Sequence, residues 1–398
     1  MTNIAILGFG VVGSGVAKLI TDNKNEVTKL GGDDINIKYV LDLRDFPDSP
    51  FADRVIHDYS AIVNDPDVSV VIEVMGGSHP AYEYTVAALK AGKSVITSNK
   101  EVVANFGDEF LALAKENGVC YRFEAAVGGG IPVISPMISC IGQNKITEVR
   151  GILNGTTNYI LTQMFTYGQS FDSALRDAQK KGYAESNPDA DILGTDACRK
   201  TAILTALISG KLLPTSKIHT EGITKIRDND VSAASKMGAT IKLVGRGISK
   251  DGELFAMVAP FIVSGGMPLS GVSGVYNAVE VIADPLGNVM FYGQGAGAGA
   301  TASAVVGDLM QVMTSGTNCS APVFKKCEDM LSFDEFSSKH YLALCKGCYG
   351  KVIEKIQNCT VIENGDEYAV ITPVISEGEL ASILDELDIT PKSHIRIL

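Results

Sequence analysis

The stretch Asn3-Ile4-Ala5-Ile6-Leu7-Gly8-Phe9-Gly10-Val11-Val12-Gly13 sets the architecture of the first part of the chain. Residues 3–7 form an apolar run that predicts a buried strand, and apolar residues at helical spacing follow. Between them lies Gly-x-Gly-x-x-Gly. Its first glycine permits a tight turn, its second admits a pyrophosphate, and its third lets helix and strand pack closely. The motif therefore predicts a dinucleotide-binding turn that uses Gly8, Gly10, Val11, Val12 and Gly13.

The pattern downstream of this motif alternates between strands and helices. Further strands are predicted at Ile35–Leu41, Val68–Met75, Ser94–Thr97 and Val119–Phe123. This alternation predicts an α/β fold with a parallel, right-handed, doubly wound sheet of the Rossmann type. We therefore assign residues 1–130 to a dinucleotide-binding domain. A second glycine-rich turn, which includes Gly297, opens a helix at 300–316 that we expect to pack back on this domain. Such a turn at a helix start suits a contact of Gly297 with the cofactor. The alternative is a simple crossover between domains.

Residues at the predicted strand ends indicate cofactor contacts. Asp42 ends the second strand, where a carboxylate favours NAD by binding the ribose hydroxyl, whereas Arg44 favours the 2′-phosphate of NADP. The sequence leaves both cofactors open. Gly76 follows a strand where a cofactor can pass close to the backbone, and Lys100 follows the next, at the sheet edge where ligands bind. Surface positions are the alternatives for Arg44 and Lys100.

A charged stretch runs from Gly182 to Lys200. Asn187-Pro188 interrupts any preceding helix, and apolar residues recur at helical spacing from Asp191 onward. On such a helix Asp196 and Lys200 share a face, and Asp191 lies near the start, where a carboxylate suits the helix dipole. A lysine beside fixed carboxylates can hold and orient a small zwitterion. The alternative is an ordinary ion pair at a helix start.

Glu124 begins a segment that contains three consecutive glycines, at 128–130. Glycine runs permit backbone conformations and close approaches that other residues forbid. Exposed carbonyls together with the Glu124 carboxylate suit a hard monovalent cation, because such ions prefer oxygen ligands. The alternative is a hinge between domains.

The composition limits the classes of function. The 398 residues carry a net charge of −12, with 45% hydrophobic and 20% charged residues, which is typical of a globular protein of two or three domains. The acidic balance argues against nucleic-acid partners or an anionic membrane surface. No signal peptide or membrane span is recognised, so a cytoplasmic location is predicted. The 8 cysteines, including Cys345 and Cys348, are then expected as reduced packing thiols.

Two further domains are predicted. Residues 131–320 are predicted to form an α+β domain whose sheet shelters a substrate, and the polar turn 154–158 in it presents hydroxyls and amides to a ligand. The family resemblance described below implies that this domain also carries catalysis and oligomerisation. After a linker at Thr317–Pro322, residues 330–398 follow a β-α-β-β-α-β order that resembles a compact ACT domain. The segment Lys346–Gly350 replaces the usual acidic and Pro-Gly residues of that family. A dimerisation or capping module is therefore the alternative.

Five motifs, in the same order, resemble those of the homoserine dehydrogenase family over residues 1 to about 320. They are the segments 8–13, 98–101, 124–132, 154–158 and 182–200. The resemblance implies a monofunctional enzyme that reversibly reduces L-aspartate 4-semialdehyde to L-homoserine with NAD(P)H, in threonine and methionine biosynthesis. It implies that Lys200 donates the proton and that Lys100 flanks the reacting carbonyl.

The resemblance also implies ligand contacts and an assembly. The residues implied to bind homoserine are Glu185, Asp191, Asp196, Tyr183, Gly155 and Thr156. Those implied to hold sodium or potassium are Glu124 and the backbone carbonyls of Val127, Gly129 and Ile131. A homodimer or homotetramer is implied. Two alternatives stay open, namely another NAD(P)-dependent amino-acid or semialdehyde oxidoreductase, and a non-catalytic sensor of nucleotides or amino acids.

Overall fold

The computed structural model describes residues 1–315 and 320–398, and its first layer is a parallel sheet. The strands of this sheet are β1 (Thr2–Leu7), β2 (Ile35–Leu41), β3 (Val55–Ile56), β4 (Val68–Glu73), β5 (Ser94–Thr97) and β6 (Tyr121–Arg122). They lie in the order β3-β2-β1-β4-β5-β6, and every neighbouring pair is parallel. This is the doubly wound order of a Rossmann sheet, so the predicted fold of the first domain is confirmed.

A second, mixed sheet of 11 strands carries the rest of the fold. The remaining strands of the chain are β7 (Lys145–Ile152), β8 (Lys211–Leu212), β9 (His219–Thr220), β10 (Ala239–Lys250), β11 (Glu253–Ser264), β12 (Tyr276–Asp284), β13 (Gly287–Gln294), β14 (Lys325–Lys326), β15 (Ser337–Cys345), β16 (Thr360–Asn364), β17 (Glu367–Ile371), β18 (Ile375–Ser376) and β19 (Ser393–Ile397). The main path is β13-β12-β7-β10-β11-β19-β15-β17-β16, with β9 on β11 and β18 on β15. Strands β8 and β14 pair separately.

Helices cover both sheets. They are α1 (Val11–Asp22), α2 (Lys24–Gly31), α3 (Ser60–Val63), α4 (Ala81–Lys90), α5 (Lys100–Glu116), α6 (Ile134–Ser139), α7 (Gly155–Tyr167), α8 (Phe171–Lys180), α9 (Asp189–Ile192), α10 (Thr195–Ser209), α11 (Asp228–Lys236), α12 (Ala298–Ser315), α13 (Tyr349–Lys355) and α14 (Glu377–Glu386). Helix α12 packs on α1 and α2. Its buried residues Ala302, Val305 and Leu309 share one apolar core with β1 and α1, which closes the nucleotide-binding domain with a distant part of the chain.

Helix α10 lies directly on the second sheet because two glycines of β10 leave room for it. A Cβ at Gly245 would overlap the hydroxyl of Thr201, and one at Gly247 would overlap that of Thr205. Both threonines bond to carbonyls one turn earlier in α10, from Thr201 Oγ1 to Ala197 at 2.8 Å and from Thr205 Oγ1 to Thr201 at 2.7 Å. This contact fixes the height of the helix above the sheet.

The strands of the C-terminal segment extend the second sheet and do not form a sheet of their own. Strand β19 runs parallel to β11, with Phe261 opposite Arg396 and Ile262 opposite Ile397. Strands β19, β15, β17 and β16 are antiparallel neighbours, and helices α13 and α14 belong to the same segment. The predicted β-α-β-β-α-β order is found, with the short strand β18 added. Part of the predicted linker, Thr317–Cys319, lies outside the described residues.

The expectation of reduced thiols is wrong for three cysteines. Cys345 and Cys348 are joined in a disulfide at the turn between β15 and α13, and Cys120 is also disulfide-bonded. The close spacing of Cys345 and Cys348 in the sequence permits a disulfide. Reduced thiols were expected because a cytoplasmic location was predicted. Cys140, Cys198, Cys327 and Cys359 are free.

Candidate active site

Two lysines from different domains converge on one carboxylate. Lys200 Nζ in α10 lies 2.7 Å from Asp196 Oδ2 and donates to the carbonyl of Leu153 at 2.8 Å. Lys100, the first residue of α5 in the nucleotide-binding domain, places its Nζ 2.9 Å from Asp196 Oδ1. Lys200 and Asp196 are buried, whereas Lys100 is 39% exposed. The structure therefore brings together Lys100, Asp196 and Lys200 at the boundary between the domains.

The protonation states in this cluster depend on one another. Burial would raise the pKa of Asp196, but the ammonium groups of Lys200 and Lys100 lower it well below its usual range. Burial lowers the pKa of Lys200, and the Asp196 carboxylate opposes that shift. An ammonium carries three N–H donors, and the described bonds of Lys200 use two. A third donor is left for the oxygen of a ligand, which suits a general acid.

Asn154 organises the carboxylates of the site, whereas the sequence pointed only to the whole polar turn 154–158 that contains it. Its side chain caps α7 by accepting from Thr157 N at 2.8 Å, while its Nδ2 donates to Asp191 Oδ1 at 2.7 Å and Asp196 Oδ2 at 3.0 Å. An asparagine before a helical run is a recognised start signal. That signal could have placed the start of α7 at Gly155.

Asp191 was expected near the start of the helix that carries Lys200, but it lies outside that helix. It lies in the short helix α9, and Gly194 at φ +86° separates α9 from α10. Glycine tolerates this left-handed conformation, which lets the chain turn between the two helices. Asp191 is half-buried, and burial raises the pKa of its carboxyl, with the bond from Asn154 opposing.

The other residues predicted to contact substrate are Thr156, Tyr183, Gly155 and Glu185, and none of their described contacts is with Lys100 or Lys200. Thr156 Oγ1 donates to the carbonyl of Tyr183 at 2.7 Å, so this hydroxyl fixes the loop that carries Tyr183. A Cβ at Gly155 would lie 2.7 Å from the carbonyl oxygen of Val275, so glycine is needed there for packing. Glu185 is exposed on the loop between α8 and α9, and none of the described contacts joins its carboxylate to the two lysines.

The glycine turn has the shape that the sequence predicts. Gly8 has φ +92°, and a Cβ at Gly13 would overlap the carbonyl oxygen of Gly8. By contrast, a Cβ at Gly10 would meet nothing within 4 Å. Val11, the first residue of α1, is 72% exposed, which is unusual for a large apolar side chain and leaves it free to touch a cofactor. Val12, the next residue, packs partly against the core.

Asp42 and Arg44 are bonded to each other. Asp42 Oδ2 accepts from Phe9 N of the glycine turn at 2.7 Å, and Oδ1 accepts from Arg44 Nε at 3.0 Å. Burial raises the pKa of Asp42, but Arg44 and the Phe9 amide together lower it to about 2. The Arg44 side chain is 64% exposed and lies over the Phe46 ring, with 5.1 Å to the centroid.

The strand end that carries Lys100 is held by a buried polar chain. Glu73 at the end of β4 accepts from Thr97 Oγ1 at 2.6 Å, and Thr97 Oγ1 accepts from Asn99 N at 2.9 Å. The Asn99 side chain caps α5 and donates to the carbonyl of Gly77 at 2.7 Å. Gly76 beside it is exposed, and a Cβ there would meet nothing within 4 Å.

The Glu124 carboxylate is used differently from the cation ligand suggested by the sequence. Its oxygens accept from the amides of Val133 at 2.6 Å, Ile134 at 2.8 Å and Ser135 at 2.7 Å, at the start of α6. The carboxylate therefore caps a helix. Burial, followed by Glu124, raises the pKa of the neighbouring Asp308 to about 7. The glycine run also contacts the segment that leads into α12, because Gly130 N donates to the carbonyl of Gln294 at the end of β13, at 3.2 Å.

Comparisons with known proteins identify the chain in agreement with this geometry. A Rossmann sheet with an open glycine turn beside a buried lysine is the arrangement of an NAD(P)-dependent oxidoreductase that acts on a CH–OH group. Residues 8–124 match the family model "Homoserine dehydrogenase, NAD binding domain", and residues 132–310 match "Homoserine dehydrogenase". The chain belongs to the homoserine dehydrogenase family.

Individual relatives agree over nearly the whole chain. A homoserine dehydrogenase of Synechocystis sp. is 36% identical over 96% of this chain and 95% of its own. The crystal structure of a homoserine dehydrogenase from Thiobacillus denitrificans superposes with a TM-score of 0.93 at 30% identity, covering 100% of this chain and 98% of that one. A hyperthermophilic archaeal homoserine dehydrogenase mutant in complex with NADPH, 29% identical with a TM-score of 0.68, covers 79% of this chain and 98% of its own. These matches do not favour a different amino-acid or semialdehyde oxidoreductase.

Proposed function

We propose that this chain catalyses the reversible NAD(P)H-dependent reduction of L-aspartate 4-semialdehyde to L-homoserine, with Lys200 as the proton donor. The observation that carries this proposal is the buried Lys200 ammonium, held by Asp196 and by the Leu153 carbonyl with one N–H donor left over. The nicotinamide, when bound, supplies the hydride to the aldehyde carbon. Lys200 gives its proton to the aldehyde oxygen as negative charge develops there, and in the reverse direction it takes that proton back.

Lys100 has a supporting role in this proposal. It reaches Asp196 from the nucleotide-binding domain, so it lies between the cofactor domain and the substrate domain. A second cation beside the reacting oxygen stabilises the developing charge. The positive charge of Lys100 also disfavours the protonated form of Lys200 and is one of the causes that lower the pKa of Lys200.

We assign the substrate ammonium to the carboxylate side of the site. Asp196 already accepts from Lys200, Lys100 and Asn154, whereas the carboxylate of Asp191 accepts from Asn154 and is approached by the Thr156 hydroxyl, with no ammonium group among the described residues bonded to it. Asp191 therefore has acceptor capacity left for an ammonium group. Glu185 lies on the exposed loop nearby and contributes if that loop closes over the substrate. Tyr183, Gly155 and Thr156 complete the proposed lining.

The cofactor contacts proposed are those of the glycine turn and the neighbouring strand ends. Open space at Gly10 and Gly76 admits the pyrophosphate and nicotinamide halves, and the α1 amino terminus offers unpaired amides to the phosphates. Arg44 is proposed to bind the adenosine 2′-phosphate of NADP. Gly297, at φ +120° before α12, faces open space and lies near α1, which suits a contact from the opposite side.

A sodium or potassium ion is proposed at the carbonyls of Val127, Gly129 and Ile131. All three residues are buried, and within residues 1–315 and 320–398 no hydrogen-bond donor reaches their carbonyl oxygens. Buried carbonyls without a partner are costly, and a monovalent cation satisfies them. Because the Glu124 carboxylate caps α6, the main-chain carbonyl of Glu124 is the ligand it can contribute. Thermal unfolding in sodium, potassium and choline chloride at equal ionic strength tests the site, since ion binding raises the melting temperature and choline does not bind.

Assembly, location and the C-terminal segment complete the proposal. A homodimer or homotetramer is proposed from the family resemblance, and the cytoplasm from the sequence. Among the residues that the structure describes, no helix is long and apolar enough to cross a membrane. We propose that residues 330–398 are an ACT-like domain, on the basis of the strand order β19-β15-β17-β16 with two helices.

The direct test is a spectrophotometric assay with L-homoserine, offering NAD and NADP separately. Turnover is expected with at least one cofactor. Lys200→Ala is expected to lower kcat by about 10²-fold or more, the scale of losing a general acid, with the cofactor Kd nearly unchanged. Lys18→Ala, at an exposed helix surface, is the matched lysine control. Wild-type turnover in the Lys200 variant would remove Lys200 from the mechanism, and absence of turnover in the wild type would remove the substrate assignment.

A further inference from the structure

An arginine of the last strand reaches from the C-terminal segment into the catalytic domain. Arg396 Nη1 in β19 lies 2.6 Å from Glu221 Oε1, which follows β9. The other side of its guanidinium holds the Glu377 carboxylate of α14, with Nε at 2.6 Å and Nη2 at 3.0 Å. The Arg396 side chain is 3% exposed. One buried cation therefore joins two carboxylates from different parts of the chain.

Glu221 begins a loop that packs against the turn before the lysine-bearing helix. Its own amide donates to the carbonyl of Val258 in β11 at 2.7 Å, which fixes the loop to the sheet. A Cβ on the next residue, Gly222, would overlap the carbonyl oxygen of Ile192. Ile223 N donates to that same oxygen at 2.8 Å. The main chain after Glu221 is therefore in direct contact with the end of α9.

The turn at 192–194 determines where α10 starts. Gly194 is the residue before α10, and a Cβ on it would lie 3.3 Å from the carbonyl oxygen of Glu221. Cys198 N donates to the Gly194 carbonyl at 2.9 Å, which begins the helical bonding. Asp196 and Lys200 then follow within the first two turns. A displacement of the Glu221 loop would therefore move the turn at 192–194, and through that turn the start of α10 and Lys200.

We propose that Arg396 is a positioning residue for the active site, holding Lys200 and Asp196 in their reactive geometry through Glu221 and the turn at 192–194. The C-terminal segment is then mechanically coupled to catalysis rather than attached as an independent module. This inference rests on the proposed role of Lys200. If Arg396 positions Lys200, its loss displaces a catalytic group and lowers the rate by a large factor. If its ion pairs were structural only, their loss would lower stability and leave the rate unchanged.

A second arginine provides the matched comparison. Arg227 also joins the catalytic domain to the C-terminal segment, with Nη1 3.0 Å from Glu367 Oε1 and Nη2 2.8 Å from Asp230 Oδ1. It precedes α11, and none of its described contacts involves the turn at 192–194. Both arginines tie the same segment to the same domain by ion pairs. Only Arg396 does so at a loop that touches the start of α10.

The experiment compares Arg396→Met, Arg396→Lys, Glu221→Gln and Arg227→Met in the full-length enzyme. For Arg396→Met we expect kcat to fall by roughly 10-fold or more, with the KM for the cofactor within about twofold of wild type. Glu221→Gln keeps the shape of the side chain and is expected to give a smaller loss in the same direction. Arg396→Lys should recover part of kcat, since it restores a cation to Glu221. Arg227→Met should lower the melting temperature and leave kcat within about twofold.

Amide hydrogen exchange provides a readout that does not depend on turnover. Faster exchange is expected at 194–200 in the Arg396 and Glu221 variants and unchanged exchange there in Arg227→Met. If folded Arg396→Met and Glu221→Gln keep wild-type kcat and wild-type exchange, the positioning role is refuted. Equal losses of kcat in Arg396→Met and Arg227→Met would refute it too, because a general loss of stability would then account for both. A wild-type enzyme without turnover would overturn the proposed function instead, and the exchange data would still decide the coupling.

Discussion

Arg199 Nη2 lies 2.9 Å from Glu101 Oε2, and this ion pair crosses the boundary between the two domains directly beside Lys100 and Lys200. Arg199 precedes Lys200 in α10, and Glu101 follows Lys100 in α5. Ser78 Oγ donates to the other oxygen of Glu101 at 2.7 Å, from the loop after β4. The pair therefore holds the two lysine-bearing helices at a fixed separation.

Replacing Arg199 tests this clamp. Arg199→Met is expected to lower kcat several-fold. Lys100 and Lys200 both remain, but the ion pair that fixes the distance between their helices is lost. Stability should change little, by about 1 kcal/mol or less, since both side chains are 28% exposed and such pairs contribute weakly. Steady-state kinetics and urea denaturation measure the two quantities. Lys18→Met, which breaks an exposed pair with Asp22, is the control. Unchanged kcat in Arg199→Met would show that the lysines are positioned by other contacts.

The dependence of the rate on pH is expected to follow Lys200. In the proposed mechanism reduction needs the ammonium form of Lys200, so its rate should fall as pH rises through the pKa of that group. Oxidation of homoserine needs the neutral amine, and its rate should rise over the same range. Asp196 opposes the lowering of that pKa by burial. Asp196→Asn should therefore move both limbs to lower pH, in addition to reducing kcat.

Profiles of kcat against pH in both directions measure this shift. Asp189→Asn, an exposed position in the neighbouring helix α9, provides a carboxylate-to-amide control that should keep the wild-type profile. A shift of the limbs to higher pH in Asp196→Asn would contradict the assignment, because it would mean that Asp196 does not stabilise the protonated lysine.

The cofactor preference is expected to depend on Arg44. Its guanidinium is exposed beside the glycine turn and is held by Asp42, so it can bind a 2′-phosphate without rearrangement of the backbone. Arg44→Ala should raise the KM for NADP by about 10-fold, the scale of losing a charge-assisted bond, and should leave the KM for NAD within about twofold. Kinetics with both cofactors check this. An equal rise for NAD and NADP would place Arg44 outside the phosphate site.

Local patterns explain which parts of the site could be predicted from sequence. The glycine turn was predictable because its three glycines, strand and helix are adjacent in the chain. The Asp196–Lys200 pair followed from helical spacing. Both features depend on a few neighbouring residues, so their geometry is determined by local backbone rules.

The features that the sequence did not reveal depend on distant partners. Lys100 meets Asp196, and Arg396 meets Glu221, only because the domains pack in a particular way. The sequence suggested the Glu124 carboxylate as a cation ligand. No local motif predicts its bonds to the amides at the start of α6, which lie nine or more residues further along the chain. The extension of the second sheet through β19 was missed because strand neighbours in a mixed sheet need not be neighbours in sequence.

Glu73 offers a test of stability against pH. It is fully buried at the end of β4, and burial raises the pKa of its carboxyl to about 7, although Thr97 and the Met75 amide oppose that shift. The folded protein therefore binds this proton more tightly than the unfolded chain does, for which the reference value is 4.5. Its contribution to stability is complete below pH 4.5 and is lost as pH rises through about 7.

Glu73→Gln removes this titration and keeps the size of the side chain. The variant is expected to gain stability relative to wild type as pH rises from about 5 to about 8, since the wild type must then bury a charge or release it to water. The difference between the urea midpoints of variant and wild type, measured across this range, gives the result. Glu116→Gln at an exposed helix end is the control and should give parallel curves. Parallel curves for Glu73→Gln as well would mean that the Thr97 hydroxyl and the Met75 amide keep Glu73 ionised despite its burial.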